Sequence, residues 1–430
     1  MCQLLKLAMI VGLSAIAAAA QDSAEILKRM RAMEERINAL ETELRTLKGE
    51  RMTQATAPPA PVTPPPVEMP APHQPPVQLG GAGAGAAKVL NPDIAVIGDF
   101  LGAVGKGGPN GQPLMEMHES EAAFQAILDP YARADFFISF GQKGVNLEEG
   151  FITFTSLPYG LQLRAGKMRA AFGKVNTLHN HVLSWTDRPL VTQNLVGGED
   201  GINDAGFSLS RIIPAPKGLF MEATAQIFKG DSEGVFSARN RKDFSTVGHL
   251  RAYHDFSEST NLDLGGSYAR GHSAFSDSTN QLYSIDATLR WKPLRRSIYH
   301  SFIARSEFVW GRARQGDFER SGDFSALVFG STPAARFATP LSKPFGYYAS
   351  ADYQIAQRWF IGGRFDRSDE LLNAALRDTG GSAVLTFWPS EFSQIRTQFR
   401  RTRYGDKNFA ANELLFQFQF SIGAHGAHPF

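Results

Sequence analysis

The stretch Glu413-Leu-Leu-Phe-Gln-Phe-Gln-Phe-Ser-Ile-Gly423 decides the fold. Successive side chains of an extended strand point to opposite faces. Leu414, Phe416, Phe418, Phe420 and Ile422 therefore fall on one face, and Leu415, Gln417, Gln419 and Ser421 on the other. A period of two sustained over this length is the pattern of a strand, not of a helix. The same alternation recurs upstream. Tyr283, Ile285, Ala287, Leu289 and Trp291 alternate with Ser284, Asp286, Thr288, Arg290 and Lys292. Trp359, Ile361, Gly363 and Phe365 alternate with Phe360, Gly362, Arg364 and Asp366.

Carried from Asp93 to the C-terminus, the pattern reads as about sixteen strands: 93–103, 117–128, 131–141, 146–157, 160–171, 205–213, 218–229, 243–256, 260–271, 281–292, 297–314, 345–356, 359–368, 379–388, 392–404 and 413–423. Connections at one rim are tight, as at Asp129-Pro130, Ser257 to Ser259 and Gln357-Arg358. Those at the other rim are mostly longer and reach 172–204 and 315–344, although 142–145 is short. Many strands carry charges and amides at their middles: Arg133 and Asp135, Arg305 and Glu307, Arg364 and Asp366, Arg396, Gln398 and Arg400. A soluble sandwich would bury its apolar faces and leave such groups in water. A transmembrane barrel instead holds them in a wet lumen, turns the Phe-rich faces to lipid and satisfies every backbone group by closure. Tyr131, Tyr159, Trp291, Trp310, Trp359 and Trp388 near strand ends suit interfacial girdles. The fold class expected is all-β, a transmembrane antiparallel barrel over 93–430.

Composition narrows the function. Lys+Arg number 44 and Asp+Glu 42, a formal charge of +2. That balance lacks the basic excess of a nucleic-acid binder. The one cysteine, Cys2, cannot form an intrachain disulfide or a cysteine-based zinc site. The 32 Phe and 41 Gly fit a β-rich chain with many turns.

Ahead of the barrel, residues 1–20 read as a secretory signal, with Lys6, an apolar run from Leu7 to Ala17, and Ala18 to Ala20 before a cleavage site at Gln21. Residues 21–52 form a helical segment. Ile26, Met30, Met33, Ile37, Leu40, Leu44 and Leu47 repeat at alternating spacings of four and three, the seam of a self-associating coiled coil. Residues 53–92 are a linker, with ten prolines between Pro58 and Pro76 and a Gly/Ala run after them, which favours an extended chain and then a hinge.

The barrel resembles Gram-negative outer-membrane porins, in particular the porin O/P-like (phosphate-selective porin-like) group. The local match is Leu163-Arg-Ala-Gly-Lys-Met-Arg-Ala-Ala-Phe-Gly173, leading into the long connection after the fifth strand. The terminal Phe430 resembles the signal read by barrel-assembly machinery. The resemblance implies passive diffusion of small hydrophilic solutes or ions and a homotrimer in outer-membrane lipid; the missing catalytic motifs lead to an expectation of no enzymatic step and no cofactor. The coiled-coil arm would then lie in the periplasm, with a possible contact to the cell wall or another envelope protein. Two other readings use the barrel as an anchor, for an envelope tether or for a specific uptake receptor; the latter needs about 22 strands and a plug.

The 172–204 connection occupies the place of the pore-narrowing loop of general porins and is expected to fold inward. The expected constriction comprises Asp187, Arg188, Glu199 and Asp200 on this loop, facing Arg305, Glu307, Arg364, Asp366, Arg396 and Arg400 on strands. Arg164, Lys167, Arg169, Arg396, Arg400, Arg401 and Arg403 give two strands a local basic excess, either an anion ladder or charge balanced by Glu149, Glu222, Asp286 and Glu307. His179 and His181, with Glu199 and Asp200 later in the loop, could ligate zinc. The ordinary reading of these histidines, and of His425 and His428, is solvated side chains with no metal. No nucleophile elbow, P-loop or His-Glu-x-x-His occurs.

Overall fold

A computed structural model describes residues 92–423 apart from 109–112, 142–143, 233, 274–277, 314–317, 320–335, 338–340 and 406–408. The signal segment, the heptad seam from Ile26 to Leu47, the proline linker, His425, His428 and Phe430 lie outside the described residues. In chain order the strands are β1 (Asp93–Lys106), β2 (Met115–Asp129), β3 (Ala132–Gly141), β4 (Gly144–Phe154), β5 (Leu161–Arg169), β6 (Asn203–Ile213), β7 (Leu219–Phe228), β8 (Ser245–Ser257) and β9 (Thr260–His272). They continue with β10 (Thr279–Trp291), β11 (Phe302–Arg312), β12 (Phe318–Glu319), β13 (Arg336–Phe337), β14 (Phe345–Ala356), β15 (Trp359–Asp369), β16 (Arg377–Ser390), β17 (Ser393–Tyr404) and β18 (Phe409–Gly423).

All but β12 and β13 form one closed barrel in which each strand pairs with its sequence neighbours and β1 closes on β18. Closure runs antiparallel through Phe100↔Phe418 and Leu101↔Gln417. The sixteen barrel strands match the sixteen read from alternation, one for one. β12 and β13 make a separate two-stranded ribbon inside the longest connection. The main boundary correction is at β11, which starts at Phe302 rather than 297. Arg296 takes a left-handed φ of 66°, and its carbonyl accepts from Tyr299 N and His300 N at 2.9 and 3.1 Å. That turn consumes the residues before the strand.

The faces are inverted relative to a soluble protein. Gln398 is 0% exposed and Gln417 2%, whereas Phe399 is 51% exposed and Phe418 43%. Polar side chains point into the barrel and apolar ones point out, the sidedness a lipid-facing barrel requires. The buried apolar core lies within the barrel: Phe172, Val175, Trp185, Val191 and Leu195 of the β5–β6 connection cluster with Phe228, Val247, Leu282, Val309 and Tyr348 on the wall. This is why the connection carries bulky apolar residues at all.

Candidate pore constriction

After β5 the chain turns into the lumen and returns at β6. Ala170 N donates to Ile202 O at 2.8 Å. The buried Asn176 amide closes this neck: Nδ2 donates to Ala170 O and Ile202 O at 2.9 and 3.1 Å, and Oδ1 accepts from Ile202 N at 2.9 Å. The loop then reaches β11. Gly173 has a φ of 59°, and a Cβ there would overlap the Glu307 carboxylate. With only a hydrogen in that place, Lys174 N and Val175 N both donate to Glu307 Oε2 at 3.1 Å. Left-handed φ costs a bulky residue about 1–3 kcal/mol before any clash. Gly173→Val is therefore expected to unseat the start of the loop and raise protease cleavage within 174–200 of the detergent-folded protein. Unchanged protease resistance would show that the turn tolerates a side chain.

Asp187 anchors the opposite wall. Its Oδ2 accepts from Arg364 Nη2 at 2.9 Å and from Arg400 Nη1 at 2.8 Å, and its Oδ1 accepts from Gln398 Nε2 at 2.6 Å. Burial opposes a charge on Asp187, but the Arg364 and Arg400 guanidiniums outweigh it and hold the carboxyl at about 2. Arg364 also pairs with Asp366, and Arg400 with Glu413. Arg396 Nη1 donates to Trp185 O at 3.2 Å and to Gln417 Oε1 at 2.7 Å. The Trp185 ring packs edge-on against Tyr348 and lies 4.9 Å beneath the Arg364 guanidinium. A short helix, Leu190–Leu195, buries Leu190, Val191 and Leu195, and Leu190 N donates to Asp366 Oδ1 at 3.3 Å.

A third anchor lies on β2 and β4. His179 Nδ1 is 2.7 Å from Glu121 Oε2 and 2.9 Å from Glu148 Oε2, and its Nε2 is 2.7 Å from Glu149 Oε1. Burial lowers the affinity of this ring for a proton, but the hydrogen bonds to Glu121, Glu148 and Glu149 outweigh it and carry the pKa well above 6.5. The ordinary reading of the two loop histidines is thus corrected: His179 and His181 side chains are 11% and 6% exposed and face carboxylates rather than solvent. Sequence alternation missed Glu148 because it is the extra residue of a bulge. Phe137 pairs with Glu149 and Ile138 with Leu147, so consecutive glutamates both turn inward.

Among the described residues a cavity of about 460 Å³ stays open between the loop and the β2–β10 side of the barrel. Arg164, Lys174, Glu222, Arg251, Asp263 and Asp286 line it. None of the ten residues expected at the constriction lines this cavity. Asp187, Arg364, Asp366, Arg396 and Arg400 are buried in the seam that glues the loop to the wall. Arg188 is spent inside the loop on Asn180 Oδ1, Val175 O and Leu178 O. Glu307 receives the loop backbone, and Arg305 Nη1 bonds Asp352 Oδ2 at 2.6 Å. Glu199 meets His118 at 3.3 Å, and the Glu199 and Asp200 carbonyls accept from Arg169 Nη1 at 3.1 and 2.8 Å. The physical reason is that a charge buried under an inserted loop is costly unless it is paired, and close pairing at low dielectric repays that cost.

No family model matches the sequence. An uncharacterized protein of Aquifex aeolicus (strain VF5) is 27% identical to this chain, over 73% of this chain and 70% of that protein. Among solved structures, the anion-selective porin from Comamonas acidovorans is similar at a TM-score of 0.52 and 10% identity, covering 77% of this chain and 99% of its own. OprB of Pseudomonas putida, in a high-pH structure, is similar at 0.51 and 9% identity, covering 78% of this chain and 95% of its own. The barrel fold is shared with these two proteins.

Proposed function

We propose that this protein is an outer-membrane porin through which small hydrophilic solutes or ions diffuse without a chemical step. The observation that carries this reading is the polar cavity left beside an inserted loop in a closed barrel with an apolar exterior. An inserted loop that leaves such a cavity beside it narrows a lumen without filling it, so solutes are selected by width and lumen charge. The fold shared with an anion-selective porin and with OprB supports the same reading. Location in outer-membrane lipid with the N-terminal arm in the periplasm, insertion by barrel-assembly machinery, and a homotrimer joined by the Ile26–Leu47 seam belong to this proposal. Full-length protein added to planar bilayers is expected to give discrete, steady conductance steps. Folded protein that inserts and passes no current would favour the anchor or tether reading instead.

A further inference from the structure

We infer that Glu121, Glu148, His179 and His181 form a binding site for a divalent cation of the zinc type, which ties the lumen loop to the β2–β4 wall. Glu121 Oε2 lies 2.7 Å from His179 Nδ1 and 3.7 Å from His181 Nδ1, and Glu148 Oε2 lies 2.9 Å from His179 Nδ1. Donors at ordinary zinc distances in a tetrahedron stand about 3.3 Å from one another. These three of the six separations bracket that value, and one donor atom each of Glu121, His179 and His181 lie within 4.8 Å of one another, so small shifts would open the centre to an ion. Two imidazoles with two carboxylates suit zinc and its transition-metal neighbours. Calcium and magnesium take oxygen ligands instead.

The surroundings are those of a built site. His179 presents Nδ1 to the cluster while its Nε2 lies 2.7 Å from Glu149 Oε1, the carboxylate–histidine arrangement that orients a metal-bound imidazole. Glu149 is fixed in turn, since its Oε2 accepts from Arg169 N at 2.9 Å. Charge points the same way. Four buried carboxylates, Glu119, Glu121, Glu148 and Glu149, meet one guanidinium, Arg169, whose Nη2 is 3.3 Å from Glu148 Oε2, and the His179 imidazole, so negative charge still exceeds positive in the cluster. Buried anionic charge in excess is costly unless a cation offsets it.

Glu119 supplies a separate observation. It is 8% exposed, and its Oε2 has no hydrogen-bond partner among the described residues. One carboxylate oxygen from each of Glu119, Glu121 and Glu148 lies within 4.8 Å of the others. Two bulges create this crowding. In β4 the extra residue is Glu148. In β2, Asp99 pairs with Glu119 and Phe100 with Met117, so His118 is the extra residue. Bulges re-aim side chains at functional sites. Glu121, Glu149, His179 and His181 also line the open cavity, which gives an ion a path in.

The test uses full-length protein folded in detergent, stripped with a chelator, equilibrated with zinc chloride and gel-filtered. The His425→Ala, His428→Ala double variant serves as background, because those histidines could hold zinc on their own. About one zinc per protomer should remain, and cobalt in its place should show the intense visible absorption of a tetrahedral centre. His179→Ala should lose the metal. Glu149→Gln leaves all four donors in place and should weaken zinc binding ten- to a hundredfold; it decides the matter if His179→Ala fails to fold. Folded protein that retains no zinc, or variants that retain as much as the background protein, would overturn the inference and leave a proton shared between His179 and the glutamates as the sole occupant. Neither site nor test depends on whether the barrel conducts.

Discussion

Replacing Asp187 with alanine is expected to raise single-channel conductance while the barrel stays closed. Among the described residues, the Asp187 carboxylate is the one group that touches Arg364, Arg400 and Gln398 together. Removing one partner from a buried ionic network costs about 3–5 kcal/mol. The lower end applies here, because Arg364 keeps Asp366 and Arg400 keeps Glu413. Even ~3 kcal/mol would shift a seated loop toward a released one by more than a hundredfold in equilibrium constant. The strand ladders do not pass through Asp187, so heat-modifiable migration of the folded barrel should persist. Bilayer recordings should show larger and noisier steps than wild type. Conductance identical to wild type, with no gain in protease cleavage between 180 and 200, would mean that other contacts alone hold the seam. The pH dependence has a definite sign. A carboxyl held at about 2 in the folded protein contributes its full stabilisation above the ordinary aspartate pKa of about 4. That contribution is lost only as pH falls through about 2, so through Asp187 the seam should hold from neutrality down to about pH 4.

Much of the barrel was legible because its signal is local and repeated. Each strand announces itself by alternation, and closure follows from the need to satisfy every backbone group in lipid. The long, apolar-studded β5–β6 connection was legible as a lumen element for a related reason: Leu183, Trp185 and Leu190 have no use in a solvated loop, and all three are buried. What alternation left open was which charges meet the open channel. Alternation says that Arg364, Arg396 and Arg400 point inward, and they do. It cannot say on which side of an inserted loop they end up, because that depends on contacts such as Asp187 to Arg400 across 213 residues of chain. Glu149 was legible as a lumen charge; Glu148 beside it was not, for another reason. A bulge breaks the period of two, and a rule built on that period assigns one of two adjacent residues to the wrong face. The doublet itself, Glu148-Glu149 with Gly150 after it, was the available hint.

Charge selectivity should follow the cavity and not the seam. Reversing Arg396 and Arg400 to glutamate would place new anions against Glu413 and Asp187, so its first effect is expected to be a dislodged loop and a larger conductance. In the proposed channel, the residues expected to meet a passing ion are those lining the open side. There Arg164, Arg169, Lys174 and Arg251 stand against Glu121, Glu149, Glu222, Asp263 and Asp286, four basic side chains and five acidic. Several are already paired: Arg251 clamps Asp263 through Nε and Nη2 at 2.8 and 2.9 Å, and Lys174 Nζ is 3.5 Å from Asp263. If the barrel conducts as proposed, near-balance with internal pairing is expected to give weak selectivity in the wild type. Arg164 is exposed within the lumen, its guanidinium 5.3 Å from the Phe151 ring, and Lys174 holds only one long contact to Asp263. Arg164→Glu with Lys174→Glu leaves two basic and seven acidic lining groups, counted on the same set. The cation-to-anion permeability ratio should rise severalfold, read as the reversal potential across a potassium chloride gradient. The shift should shrink as salt approaches 1 M, where the screening length falls to about 3 Å. Glu222→Gln with Asp286→Asn should move the ratio the other way. A reversal potential unmoved by either pair, in channels of wild-type conductance, would place the selective path on another side of the loop.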